Sequence, residues 1–156
     1  ADFVAETIDQ LAGMHVLLDT SGYGSPKAFQ QLVERADLLF FDIKSMAPVI
    51  FERYCGGDLD IVIKNLYLLD EMAVPFVIRV PLIPSVTDTL ENMAAIAQRI
   101  GPMTGLQRVD LLPYHRLAGA KYAQTGQTYD PGFDENLEPQ IFGSAFEDLA
   151  IPWRVI

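Results

Sequence analysis

Cysteine is almost missing from this sequence, with Cys55 alone among 156 residues. That count excludes an internal disulfide, and it excludes a multi-cysteine metal site built from one copy of the chain. Positive charge is scarce as well: 11 Lys and Arg stand against 21 Asp and Glu, a net charge of -10. Nucleic-acid phosphates and anionic membrane surfaces both require a basic surplus, so neither is expected as a partner, and an anionic ligand would need a local basic site. Long hydrophobic runs are absent too. No stretch approaches the roughly 20 apolar residues of a membrane span, and nothing at the N-terminus reads as a signal peptide. The expected location is the cytoplasm.

What is present is globular composition, 50% hydrophobic and 21% charged. A chain of this length is expected to form one domain over residues 1–156 and to bury about two thirds of its unfolded surface. Four apolar stretches alternate with helix-like segments: HVLLDTSG at 15–22, DLLFFDIKS at 37–45, PFVIRVPLIP at 75–84 and RVDLLPYH at 108–115. That rhythm is the βαβ pattern of a parallel sheet, and nearly continuous apolar runs suit strands covered on both faces. A short final strand over residues 153–156 closes the chain. Cys55 reads most simply as a small half-buried residue.

The intervening segments carry helix signals. Ser25 followed by Pro26 predicts an N-cap with proline in the first helical position. Asp60 is expected to cap a helix over 61–72. Asp88, with Glu91 three residues on, reads as the start of a helix whose Leu90, Met93, Ala94, Ala97 and Ile100 face the core before Gly101 stops it. Residues 116–138 are interrupted by Gly119, Gly126, Pro131 and Gly132 and predict a loop with one short helix near 120–124. Glu138 and Pro139 then open a last helix, with Ile141, Phe142, Ala145, Phe146 and Leu149 on one face.

The chemistry gathers at the strand ends. Asp19, Thr20 and Ser21 end the first, Asp42 and Lys44 the second, Arg79 lies in the third, and Tyr114 and His115 end the fourth. Parallel α/β sheets and barrels bind ligands at the carboxyl ends of their strands. Neighbouring strands run about 4.8 Å apart, so Asp19 and Asp42 repel unless a positive group intervenes; Lys44, a bound cation or a ligand ammonium could each serve. The plainer readings are that Asp19 and Ser21 tie down a turn, that Lys44 merely pairs with Asp42, and that His115 is structural. Four such endings together favour a site. Lys44 as a Schiff-base nucleophile of an aldolase-like barrel is disfavoured, since Asp42 beside it raises its pKa.

LDTSG at 18–22, FDIKSM at 41–46, IRVPLIPSVTD at 78–88 and LLPYHRLAGAKY at 111–122 resemble, in order and spacing, successive motifs of the glycyl-radical enzyme activating enzymes, the pyruvate formate-lyase activating type of the radical S-adenosylmethionine (SAM) superfamily. YCGGDLDIVIKNLYLL between the second and third is similar as well, with Cys55 where threonine is expected. The likeness runs from Gly13 to Tyr129. It implies an α/β fold, a partial parallel (β/α) barrel containing about four βα units of a (β/α)6 barrel. It implies SAM and a [4Fe-4S] cluster as cofactors of the whole protein, a 5′-deoxyadenosyl radical, and hydrogen abstraction from a glycine of a partner glycyl-radical enzyme. By position it puts SAM contacts on Asp42, Ile43, Lys44 and His115, with Asp19 and Thr20 in support and Arg79 toward SAM or the incoming glycine loop. No catalytic residue is assigned.

The family's CxxxCxxC loop and GGE-type segment have no counterpart here, and Cys55 cannot replace three thiolates. The chain is therefore expected to be the C-terminal portion of such an enzyme, without an iron–sulfur site and inactive alone. The alternative is a non-catalytic remnant that binds a small ligand or a partner. Absence of the preceding βα units would leave the first strand's edge unpaired, so a homodimer through that edge, or cover by the N-terminal helix, is expected.

Overall fold

The computed structural model describes residues 1–116, 121, 122 and 124–156. Five parallel strands form one sheet in the order β1-β2-β3-β4-β5: β1 Leu17–Thr20, β2 Leu38–Asp42, β3 Phe76–Leu82, β4 Leu106–Pro113 and β5 Trp153–Val155. Strand order follows chain order throughout, the winding of a (β/α) barrel rather than of a doubly wound sheet. The four apolar runs and the short final strand each hold a strand; β1, β2, β3 and β5 are shorter than the segments expected, and β4 begins two residues before its run.

The helices are α1 Asp2–Asp9, α2 Pro26–Val33, α3 Pro48–Cys55, α4 Leu59–Glu71, α5 Leu90–Ile100 and α6 Ser144–Glu147. Ser25 caps α2, its hydroxyl accepting from Ala28 N at 3.2 Å. Two expected caps move. Asp58, not Asp60, caps α4, and Thr89, not Asp88, caps α5 by accepting from Asn92 N. Asp88 is buried instead and accepts from Gln140 N at 2.8 Å. That tie replaces the start of the expected last helix, which is confined to α6. Gly143 there lies so close under the Trp153 ring that no Cβ would fit, while Ile141 and Leu149 face solvent. Leu90 is likewise exposed rather than core-facing. Of the short helix expected near 120–124, residues 121, 122 and 124 are helical, and 120 and 123 lie outside the described residues.

One apolar layer holds sheet to helices. Phe29 and Val33 of α2, Val62, Leu66 and Leu69 of α4, and Met93, Ile96 and Ile100 of α5 form a single buried cluster with Leu39, Phe41, Ile78, Val80, Val109 and Leu111 of the strands. Each such side chain contributes about 1.5–3 kcal/mol when fully buried. Since successive strand residues alternate in direction, the helices cover one face only, and the other is left for different residues.

Candidate functional site

That other face carries the charged residues. Strand register sets Asp42, Arg79, Asp110 and Arg154 side by side across β2 to β5, with Asp19 beside Phe40 one alternate row back. Arg79 Nη1 donates to Asp19 Oδ2, and Arg79 Nε lies 3.9 Å from Asp42 Oδ1. The positive group between the two carboxylates is thus Arg79, which also lies over the Phe40 ring at 5.4 Å. Lys44 Nζ donates to Asp42 Oδ2 at 3.1 Å, the local pairing expected of alternate residues. Asp19, Asp42, Lys44 and Arg79 therefore form one connected network.

The remaining candidates stand apart from it. Thr20 pairs with Phe41 on the helix side, and its hydroxyl accepts from Gly22 N at 3.1 Å, fixing a turn. Ile43 is buried in the core, and its N–H is already engaged by Arg79 O at 2.9 Å. His115 is exposed, two residues beyond β4. The turn after β1 is held from behind: buried Asn65 on α4 donates to Gly22 O at 2.7 Å and Gly24 O at 3.0 Å. Gly22 has φ +68, and any Cβ there would overlap the Phe41 ring, so glycine is required on both counts.

Helix α3, which the strand-and-helix pattern did not reveal, brings two further residues to the strand ends. Tyr54 and Cys55 line two adjoining clefts, of about 290 Å³ and 340 Å³, that share Lys44. The first is mostly apolar, with Ile50, Pro81, Ile83 and Phe133 in its walls. The second reaches Asp42, Ser21 and Tyr23. Residues 129–135 roof the first cleft: Tyr54 donates to Gly132 O at 3.1 Å, and the Tyr114 hydroxyl meets that of Tyr129 at 2.6 Å and donates to Glu135 at 3.2 Å. The bond to Tyr129, together with burial and the Glu135 charge, raises the Tyr114 phenol above its usual range. Cys55, expected half-buried, is exposed at the cleft lining. Burial of its surroundings raises its thiol pKa, and Lys44 partly offsets this. The only sequence sign of the roof is its aromatic density, with Tyr114, Tyr122, Tyr129 and Phe133 set in a Gly- and Pro-rich loop.

Deeper on the same face, Asp110 is fully buried between Arg108, at 2.9 Å and 3.1 Å, and Arg154, at 2.7 Å and 3.3 Å. This pairing joins β4 to β5. No group of three His, Cys, Asp or Glu that could hold a metal occurs among the described residues. No helix among them is long and apolar enough to cross a membrane.

Comparison with known proteins gives a consistent picture. The chain is 31% identical over 133 residues to the trans-4-hydroxy-L-proline dehydratase activating enzyme of Clostridioides difficile, covering 83% of this chain and 44% of that protein. It is 29% identical over 117 residues to the pyruvate formate-lyase-activating enzyme of Clostridium pasteurianum, covering 75% and 49%. The chain thus spans under half the length of these curated relatives. A crystal structure of a domain of pyruvate-formate lyase-activating enzyme from Bacteroides vulgatus superposes with a TM-score of 0.78 at 20% identity, over 99% of this chain and 90% of that one. No protein-family model matches the chain.

Proposed function

The chain is a homologue of the glycyl-radical enzyme activating enzymes, of the radical SAM superfamily, and we propose that it forms the part of such an activase that holds SAM at the carboxyl ends of its strands. The observation that carries this reading is the network of Asp19, Asp42, Lys44 and Arg79, which enters two clefts through Lys44 and the second of them through Asp42 as well. Asp42 Oδ1 and Arg79 Nε are buried there without a hydrogen-bond partner. An unpartnered carboxylate oxygen suits a ligand ammonium, the Lys44 ammonium suits a ligand carboxylate, and the apolar, aromatic-walled cleft suits a nucleoside. The residues present therefore fit SAM, with Asp42, Lys44, Arg79 and Asp19 as polar contacts, Ile43 through its carbonyl, and Thr20 and His115 at the margin.

When bound, SAM supplies the hydrogen-abstracting radical chemistry of the superfamily. This chain's own residues orient it: Arg79 keeps two carboxylates from repelling each other, Lys44 neutralises Asp42, and the Tyr129-to-Glu135 roof keeps bulk water from the apolar cleft. A [4Fe-4S] cluster does not fit the residues of this chain, because one cysteine cannot supply three thiolates. In the whole protein we assign the cluster to other segments, the partner to a glycyl-radical enzyme, and the compartment to the cytoplasm. The chain by itself is inactive in this reading. Its single cysteine favours a second reading for the chain alone, a ligand-binding module without radical chemistry. Calorimetric titration with SAM tests the shared site; no heat of binding under conditions where the chain is folded overturns it.

A further inference from the structure

Asn92 lies in the first turn of α5, 8% exposed. Every polar atom of its side chain is engaged, and every partner is backbone. Its Oδ1 accepts from Met46 N at 2.9 Å, and its Nδ2 donates to Thr87 O at 2.9 Å and to Lys44 O at 3.4 Å. The orientation of the amide follows from its partners: flipped, it would set an NH₂ against the Met46 N–H and an oxygen against two carbonyls. The same residue's N–H donates to the Thr89 cap at 3.1 Å.

The segment it grips is the exit from β2. Ile43 N–H still bonds to Arg79 O at 2.9 Å, and Ala47 N–H bonds to Ser45 Oγ at 3.1 Å. Between those two points the chain has left the strand ladder, and Asn92 holds both the carbonyl of Lys44 and the N–H of Met46. The direction in which the Lys44 side chain leaves the sheet is therefore tied to the first turn of a helix that follows another strand. Lys44 in turn reaches Asp42 and lines both clefts.

We propose that Asn92 is a positioning residue for Lys44: by clamping the backbone of residues 44–46 to the β3–α5 connection, it fixes the ammonium that a ligand carboxylate would meet. The inference rests on the SAM site proposed above. A bidentate amide is required for this task, since a hydroxyl or a carboxylate cannot accept from one backbone group while donating to two others. A buried amide with all its partners also resists displacement, because each backbone group it released would be left unsatisfied.

The test compares Asn92→Asp, which keeps the acceptor for Met46 N but sets oxygen against the carbonyls of Lys44 and Thr87, with Thr89→Ala, which weakens the cap of the same helix and leaves the clamp. Calorimetric titration with SAM is paired with amide exchange at Met46 and thermal melting. Asn92→Asp should weaken SAM at least tenfold, whereas Thr89→Ala should stay within twofold even at an equal or larger loss of melting temperature. In an Asn92→Ala chain, the Met46 amide should exchange at least tenfold faster while amides of β3 keep their protection. Equal SAM losses in Asn92→Asp and Thr89→Ala, or wild-type affinity in Asn92→Asp, would overturn the proposal. If the unaltered chain does not bind SAM, the proposed site fails on that result, and Met46 exchange alone decides the clamp: faster exchange upholds it and unchanged exchange sinks it.

Discussion

Asp42 Oδ1 and Arg79 Nε face each other across the β2–β3 pair at 3.9 Å, both buried and both without a hydrogen-bond partner. Leaving such groups unsatisfied costs about 1–3 kcal/mol each, so a ligand that donates to one or accepts from the other regains part of that cost. The register pairing of Asp42 with Arg79 makes the arrangement a property of the sheet rather than of a mobile loop.

The first prediction follows. Asp42→Asn keeps the shape and removes the charge, and a charge-assisted contact of about 1.5–3 kcal/mol corresponds to roughly ten- to a hundredfold in affinity. SAM should bind the variant more weakly by that factor. His115→Ala should weaken it as well, though less, because His115 is exposed and outside the ion-pair network. If both variants titrate like the unaltered chain while remaining folded, the strand-end assignment is wrong.

A second prediction concerns the cluster. After anaerobic reconstitution with iron and sulfide, the chain should show no stable [4Fe-4S] absorbance, since the sequence has one cysteine. Stoichiometric cluster formation followed by SAM cleavage would contradict the assignment of the cluster to other segments.

Asp110 sets a pH dependence. Burial, the largest single influence, pushes its carboxyl up, but the bonds and charges of Arg108 and Arg154 together outweigh it and hold the pKa below the usual carboxylate range. A folded pKa below the unfolded value of about 3.9 stabilises the chain above that pH, and this contribution is lost as pH falls through the folded value. Asp110→Asn leaves two guanidiniums without their shared carboxylate and should cost about 3 kcal/mol at pH 7. Urea midpoints of the two chains should converge in strongly acidic solution; a gap that stays constant down to pH 2 would assign the loss to shape instead of charge.

Much of the fold was legible in the sequence for a physical reason: strands whose inner face packs on helices and whose outer face still carries Phe40, Val77 and Leu112 read as apolar runs, and charged residues within or after such runs are turned to the outer face. Asp19, Asp42, Lys44 and Arg79 were found that way. What escaped depends on contacts between distant residues. DTLEN offers two adjacent caps, Asp88 and Thr89, and the choice is made by Gln140, whose N–H takes Asp88. The periodicity of Ile141 to Leu149 is real, yet Trp153 over Gly143 and the Asp88 tie at Gln140 allow only one turn of helix. The roof formed by residues 129–135 is held by Tyr54 and Tyr114, far away in sequence, and α3, as short as α2, starts at Ala47 without the side-chain cap that marked α2.

Cys55 carries a prediction that its sequence context does not suggest. Its thiol is exposed, yet its pKa is raised by burial of its surroundings, the larger influence, against the lowering effect of Lys44. Alkylation by iodoacetamide at pH 7 should be slower than for a free cysteine and should accelerate as pH rises above the usual thiol range. Lys44→Met removes the offsetting charge and should slow it further. Saturating SAM should protect the thiol, as both clefts it lines would be occupied; equal rates with and without SAM, where calorimetry shows binding, would place the ligand elsewhere.

The last prediction concerns the edge of the sheet. β1 lies at one end of the strand order, so its outer N–H and C=O groups have no strand partner among the described residues. The N-terminal helix makes no backbone hydrogen bond to them: α1 rests against α2, with Arg35 bonded to Asp9 at 2.9 Å. Around that edge Leu17 is 43% exposed and Met14 66% exposed, which adds apolar surface to unpaired backbone. Edges of this kind recruit another strand unless charge or proline blocks them. Two copies related by a two-fold axis would pair β1 with β1 in antiparallel fashion, satisfying both edges at once. Sedimentation velocity should therefore show a concentration-dependent dimer, and Leu17→Lys, which puts a charge on the edge without entering the core cluster, should shift it to monomer. A chain that stays monomeric across the full concentration range, or a dimer that Leu17→Lys leaves intact, would rule out this edge as the contact.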